Sequence, residues 1–221
     1  VRHRDAMTEW APRDAKVSLI MGRAHVDVVL QAVRGARTSV WISTANLKDV
    51  HVEARVGTRA RAAGRYESLF DELGAMRARG VDVRILHAGT PSRALRPKLG
   101  KSAAAALRQC PRVHLKMIAV DGAFLYLGSA NFTGAGLGAK ADERRNFEAG
   151  FATSDDVLLD ALQSEFDAIW SGRRCGACKL RRECPAPLDL LSGPSSPPKA
   201  PLEKETKPRT SRRPKRPGPA P

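Results

Sequence analysis

Val113-His114-Leu115-Lys116-Met117-Ile118-Ala119-Val120-Asp121-Gly122-Ala123-Phe124-Leu125-Tyr126-Leu127-Gly128-Ser129-Ala130-Asn131 is the stretch from which the rest of the chain can be read. Two apolar runs, residues 113–120 and 123–131, flank Asp121-Gly122. Asp-Gly suits a type I′ turn, whose two central residues both need positive φ, so the stretch predicts a β-hairpin. If those two residues are the whole loop, paired residue numbers sum to 243, and Ser129 lies opposite His114 and Leu127 opposite Lys116. His114, Lys116, Ser129 and Asn131 then share one face of the sheet. A three-residue loop would slip this register and undo the arrangement. An imidazole, an ammonium, a hydroxyl and an amide on otherwise apolar strands are costly without partners. An anion would satisfy them if it offered acceptor oxygens to Lys116 and Asn131 and an electrophilic centre to His114; a phosphodiester is such an anion. A core histidine beside a snorkelling lysine would explain His-x-Lys by itself, but not the full set.

Working outward, Val26, Val29, Leu30 and Val33 fall on one helical face that stops at Gly35, followed by a short strand over residues 38–43. Tyr66, Leu69, Phe70, Leu73 and Met76 mark a second helix ending at Gly80, and residues 81–86 alternate as a strand. Residues 92–109, basic and then alanine-rich, read as a loop leading into a helix. Ser154 is placed to cap a long helix with the stripe Val157, Leu158, Ala161, Leu162, Phe166, Ile169 and Trp170. Strands alternating with helices predict an α/β fold, a mixed β-sheet flanked by helices on both faces. No internal repeat is visible.

His114-x-Lys116-x4-Asp121, then six residues and Gly128-Ser129-x-Asn131, resembles the HKD signature of the phospholipase D superfamily. Asn146-Phe147-Glu148 falls where members of that family carry a downstream carboxylate. The order of strands and helices extends the resemblance over residues 17–170, although only residues 114–148 are specific to it. The resemblance implies a phospholipase D-like half-domain and a two-step phosphodiester transfer through a phosphohistidine. One histidine attacks phosphorus; a second protonates the leaving oxygen and later activates water. Carried onto this chain, His114 is nucleophile or acid, Lys116 and Asn131 hold the phosphate oxygens, Ser129 assists, and Glu148 supports His114. Asp121 completes the signature, but the hairpin puts it in the turn, away from the cluster, in a structural role. No cofactor is required for such catalysis. His3, His25, His51 and His87 lie in no second His-x-Lys setting, so the second histidine is expected from an isologous homodimer that pairs two copies of His114.

The chain has 221 residues and a net charge of +15. From Gly193 onward eight basic residues face two acidic ones, a charge of +6, leaving 30 minus 21, or +9, for residues 1–192. A field of that sign favours a polyanion, either nucleic acid, the preferred partner here, or an anionic phospholipid surface. No transmembrane run and no signal-like stretch after the charged start are visible, which reads as cytoplasmic. Cys175-x2-Cys178-x5-Cys184 follows the last helix, with Cys110 four residues before His114. In a reducing compartment the four suggest a structural zinc or iron–sulfur cluster more than disulfides; ordinary thiols are the simpler alternative. The expected layout is an N-terminal extension (1–16), a catalytic domain (17–172), a cysteine segment (173–192) and a disordered, basic, proline-rich tail (193–221).

Overall fold

The computed structural model describes residues 13–100, 103–184 and 186–192. The tail at residues 193–221 and all but the end of the N-terminal extension lie outside the described residues, as does His3.

In chain order the strands are β1 (Ser18–Met21), β2 (Ser39–Thr44), β3 (His51–Glu53), β4 (Tyr66–Ser68), β5 (Asp82–His87), β6 (Leu107–Gln109), β7 (Met117–Val120), β8 (Phe124–Gly128) and β9 (Ala149–Thr153). Seven of them form one mixed sheet in the order β1-β9-β8-β7-β2-β5-β6, while β3 and β4 pair separately. β2, β5 and β6 run parallel; β7, β8, β9 and β1 each run antiparallel to the neighbour before them, starting from β2. The parallel step from β2 to β5 needs a crossover, and the helix Leu69–Ala78 lies within it.

Alternate side chains of the central strands enter two cores. Val40, Ile42, Val83, Ile85, Ile118, Val120 and Tyr126 pack with residues of the helix Leu69–Ala78 and of the π-helical turn His25–Leu30 that runs into the α-helix Gln31–Gly35. Trp41, Leu86, Met117, Ala119 and Leu125 enter a smaller core with Leu159, Phe166 and Trp170 of the helix Asp156–Trp170. The α/β fold with helices on both faces is therefore the one expected.

Several local boundaries differ from the sequence reading. Tyr66 belongs to β4, because Ser68 caps the following helix by accepting the Asp71 amide at 3.2 Å. Asp155, not Ser154, caps the helix Asp156–Trp170, its carboxylate accepting the Leu158 amide at 3.0 Å. Residues 92–109 hold two helical turns, Leu95–Lys98 and Ala103–Ala106, and end in the edge strand β6.

The hairpin register is also corrected. Asp121 (φ 55°) and Gly122 (φ 63°) form the expected turn, with the Ala123 amide donating to Val120 O at 3.0 Å. The ladder, however, pairs Val120 with Phe124 and Met117 with Leu127, so the numbers sum to 244. Ala123 is an additional residue between the turn and β8, so the loop spans three residues and the phase of the second strand shifts by one. Lys116 consequently meets Gly128, whose amide donates to Lys116 O at 3.1 Å. The alternation no longer places Ser129 and Asn131 on the face of His114 and Lys116.

The helix on the second face covers only part of the sheet. Leu127 pairs with Phe151 and Phe151 with Leu19, a cross-strand apolar row whose members are 37%, 52% and 61% exposed. Met21 on β1 and Val157 on the helix Asp156–Trp170 are exposed as well.

Candidate active site at one end of the sheet

Strand direction, more than face, gathers the candidate residues. His114 and Lys116 lead into β7, Ser129 and Asn131 leave β8, Asn146 and Glu148 lead into β9, and Thr44 ends β2. Since β7 is antiparallel to both β2 and β8, and β9 to β8, all four points fall at the same end of the sheet. Each lies at or just beyond a strand terminus, where backbone alternation no longer dictates side-chain direction.

The side chains form three groups there. The Lys116 ammonium lies 3.0 Å from His114 Nε2, 3.1 Å from Nδ1 and 3.0 Å from the His114 carbonyl. Ser129 Oγ donates to Glu148 Oε2, and the other carboxylate oxygen accepts from Asn146 Nδ2 at 3.1 Å. Ser129 Oγ in turn accepts the Ala149 amide at 3.1 Å, which locks the start of β9 to the end of β8. Asn131 Oδ1 accepts the Asn46 amide at 2.9 Å and lies 3.3 Å from Thr44 Oγ1, turned toward the end of β2. Among the described residues no hydrogen bond joins His114 to Glu148 or to Asn131.

Two contributors were not read from the sequence. Thr44 is fully buried; its hydroxyl donates to Asn46 O at 2.8 Å and accepts the Phe132 amide at 2.9 Å, so it fixes the loop that carries Asn131. Tyr126, hidden in an apolar run, lays its ring against Gly128 and Gly150. A Cβ at Gly128 would stand 2.4 Å from the phenol oxygen, and one at Gly150 2.6 Å from the ring, so this paired position admits only glycine. His25 Nδ1 faces Gly22 O at 3.0 Å, which assigns the proton to Nδ1 and leaves Nε2 to accept from the Tyr126 hydroxyl at 2.9 Å. Burial pushes the Tyr126 phenol up to about 12; the Ala130 amide opposes the shift and the Glu148 charge adds to it. Tyr126 is thus held protonated beneath the site.

The remaining sequence candidates lie elsewhere. Asp121, at the far end of β7, accepts the amides of Arg37 (2.9 Å), Thr38 (2.8 Å) and Ser39 (2.8 Å) and the Thr38 hydroxyl (2.9 Å). Partial burial would raise its pKa, but these donors outweigh it and hold the carboxyl below the usual range. Buried His87 ends β5 and donates from Nδ1 to Gly89 O at 2.7 Å; burial lowers its pKa against that bond, and the Arg96 charge lowers it further. His51, on β3, lies 3.8 Å from Asp49. Cys110, Cys175, Cys178 and Cys184 are all free and line one cavity.

A separate cleft of about 860 Å³ is lined by seven basic side chains, Arg23, Arg34, Arg55, Arg61, Lys140, Arg144 and Arg145, with Asp27 and Glu53 as its carboxylates. Lys140, Arg144 and Arg145 belong to the loop between Asn131 and Asn146, so the cleft borders the segment that carries the site.

A family model described as cardiolipin synthase, PLD-like domain, matches residues 29–170. Among solved structures, the phospholipase D family member Nuc from Salmonella typhimurium is 21% identical, with a TM-score of 0.47 over 72% of this chain and 95% of that one. NucT from Helicobacter pylori is 16% identical, with a TM-score of 0.42 over 70% and 94%. TrmBL2, an archaeal chromatin protein described as having a novel mode of DNA binding, is 17% identical, with a TM-score of 0.40 over 75% and 55%. No curated protein matches the chain.

Proposed function

The chain belongs to the phospholipase D superfamily through its PLD-like domain, and from that premise we propose that it is a homodimeric, metal-independent nuclease. His114 attacks the phosphorus of a nucleic-acid phosphodiester and forms a P–N bond as the P–O bond to the leaving group breaks. His114 of the partner subunit gives the leaving oxygen its proton, then takes one from the water that displaces the phosphoryl group and restores both imidazoles. Lys116 and Asn131 bind the non-bridging oxygens as negative charge builds there. For Lys116 this means exchanging its contact with the His114 ring for the phosphate. Glu148, held by Ser129 and Asn146, is assigned the support of the His114 imidazole once substrate is bound.

The basic cleft carries the choice of nucleic acid. Its seven guanidinium and ammonium groups outnumber the two carboxylates in its lining; several of the arginines hold carboxylates of the same chain, among them Arg55 with Glu72 and Arg61 with Glu53, contacts they would exchange for successive phosphates of a polyanion. The exposed row Leu127, Phe151 and Leu19 supports the homodimer, because it gives a second copy an apolar face on the strands that lead into the site. Withdrawal of His87 from the reaction, through burial and its bond to Gly89, also favours a histidine from a second copy over one from the same chain.

The test is incubation of the full chain with single-stranded DNA, duplex DNA, RNA and phosphatidylcholine vesicles, with and without brief EDTA treatment and with folding followed alongside. Nucleic acid should be cut in EDTA, with binding that weakens steeply as salt rises. Turnover of the vesicles alone would overturn the nuclease reading, and loss of activity in EDTA by a folded dimer would overturn the metal-independent mechanism. Phe151→Glu should convert the protein to monomers by sedimentation and abolish cutting; an active monomer would overturn the shared site.

A further inference from the structure

The segment after the helix Asp156–Trp170 has an unusual build. Residues 171–183 are almost wholly turns, with no helix or strand, and most of their side chains are exposed. The segment nevertheless folds back firmly. Gly172, at φ 79°, packs so closely on residues 188 and 189 that a Cβ there would stand 2.3 Å from the Asp189 amide. The ion pairs Arg173–Asp167, Arg174–Glu165 and Arg181–Asp189 tie it to its surroundings, and so irregular a stretch is one that a cross-link or a metal would further fix.

The cysteines are placed to supply one. Cys175 opens a turn whose Cys178 amide donates to Cys175 O at 3.0 Å, and the Arg181 amide then donates to Cys178 O at 3.1 Å. Cys110 lies some 65 residues earlier, where its amide donates to His87 O at 2.9 Å and its carbonyl accepts from Val113 at 2.9 Å. The fold brings this distant thiol to the other three. All four line one cavity of about 550 Å³, with Val113, Ile169, Leu180 and Leu188 as apolar wall. Each is free and half-buried, and Cys110 and Cys175 pack against the second core. As the side chains stand, no three His, Cys, Asp or Glu of the described residues form a group set to hold an ion.

We infer that Cys110, Cys175, Cys178 and Cys184 are the ligands of a thiolate-held metal centre that fastens the segment after the last long helix to the turn leading to His114. The donor set is all sulfur, which selects a thiophilic metal over calcium or magnesium. Four thiolates take either one zinc, tetrahedral at Zn–S of about 2.3 Å, or an iron–sulfur cluster. A zinc would draw the four turns inward, whereas a cluster would fill the space between them. Arg112 lies beside Cys178 and lines the same cavity as Arg173, Arg174 and Arg181. Arg173, Arg174 and Arg181 are paired with Asp167, Glu165 and Asp189, so Arg112 is the cation that offsets negative charge on the thiolates. This inference does not depend on the choice of nucleic acid.

The test begins with full-length protein purified without oxygen. About one zinc per chain by elemental analysis, or iron with matching acid-labile sulfide and broad absorption near roughly 400 nm, is the expected result. Cys110→Ser and Cys184→Ser should each reduce metal content several-fold, while the exposed neighbour Lys179→Ala keeps it in full. Where a serine variant fails to fold, alkylation of the wild-type chain decides: all four thiols should be protected until a chelator strips the metal. Absence of bound metal, both as purified and after incubation with zinc or with ferrous iron and sulfide, would overturn the proposal. So would a disulfide within the four, or full metal retention in a folded Cys110→Ser chain.

Discussion

The two ends of β7 carry the most polar residues of the hairpin and treat them in opposite ways. At the Asp121 end, a carboxylate is saturated by fixed donors, three consecutive amides and a hydroxyl of the segment entering β2. At the His114 end, exposed His114 and half-buried Lys116 bond to each other, and Ser129 and Glu148 do the same. Backbone donors cannot move aside for a substrate, whereas a lysine on a histidine can exchange that contact for a phosphate oxygen. One end is therefore built to be permanent and the other to be exchanged, although both belong to one sequence signature.

The sharpest way to break this contrast is at the open end. His114→Ala should lower turnover at least about a hundredfold and leave the melting temperature almost unchanged, since the ring is exposed and supports no core. If each site uses both copies of His114, mixing wild-type and His114→Ala chains with full subunit exchange makes activity fall as the square of the wild-type fraction. An equal mixture should keep about a quarter, by the pairing arithmetic of a twofold dimer; half retained would mean each chain works alone.

At the closed end the effect should be on stability. Asp121→Ala is expected to cost about 2 kcal/mol, because it leaves several amides without their charged acceptor, while each folded molecule keeps its turnover. The pH dependence has a definite sign. The folded carboxyl titrates below its unfolded value of about 3.9, so its contribution is complete above that value and disappears as pH falls through the lower, folded one. Thermal melts of wild type and Asp121→Asn should therefore differ most at neutral pH and converge in acid. A smaller change would sharpen the comparison from below the site: Tyr126→Phe should cost about 1 kcal/mol, by stranding the His25 nitrogen and the Ala130 amide, and change turnover only a few-fold.

Periodicity and the Asp-Gly pair made the hairpin, the helical stripes and the α/β class legible in the sequence, and the HKD spacing named residues that the fold gathers at one end of the sheet. The register was not legible. A single additional loop residue, Ala123, changes the phase of an entire strand, and nothing in Gly-Ala-Phe distinguishes a paired alanine from an inserted one. The candidates still converge on one end of the sheet because they sit at strand ends, where topology counts for more than alternation. β6 escaped notice because Leu107-Arg108-Gln109 is too short and polar to show a period. Thr44 and Tyr126 were missed for a different reason: each serves the site through partners distant in sequence, Asn131 for one and His25 for the other.

The Asp121 clasp has a further consequence, in time instead of energy. Its donors lie 82 to 84 positions away along the chain, so it can close only after β7 has docked on β2 and a long loop has been ordered. A contact made that late is absent from the folding transition state, and losing it should mainly accelerate unfolding while refolding keeps its rate. The turn between the two hairpin strands would then set how long a folded molecule lasts more than how quickly one is made.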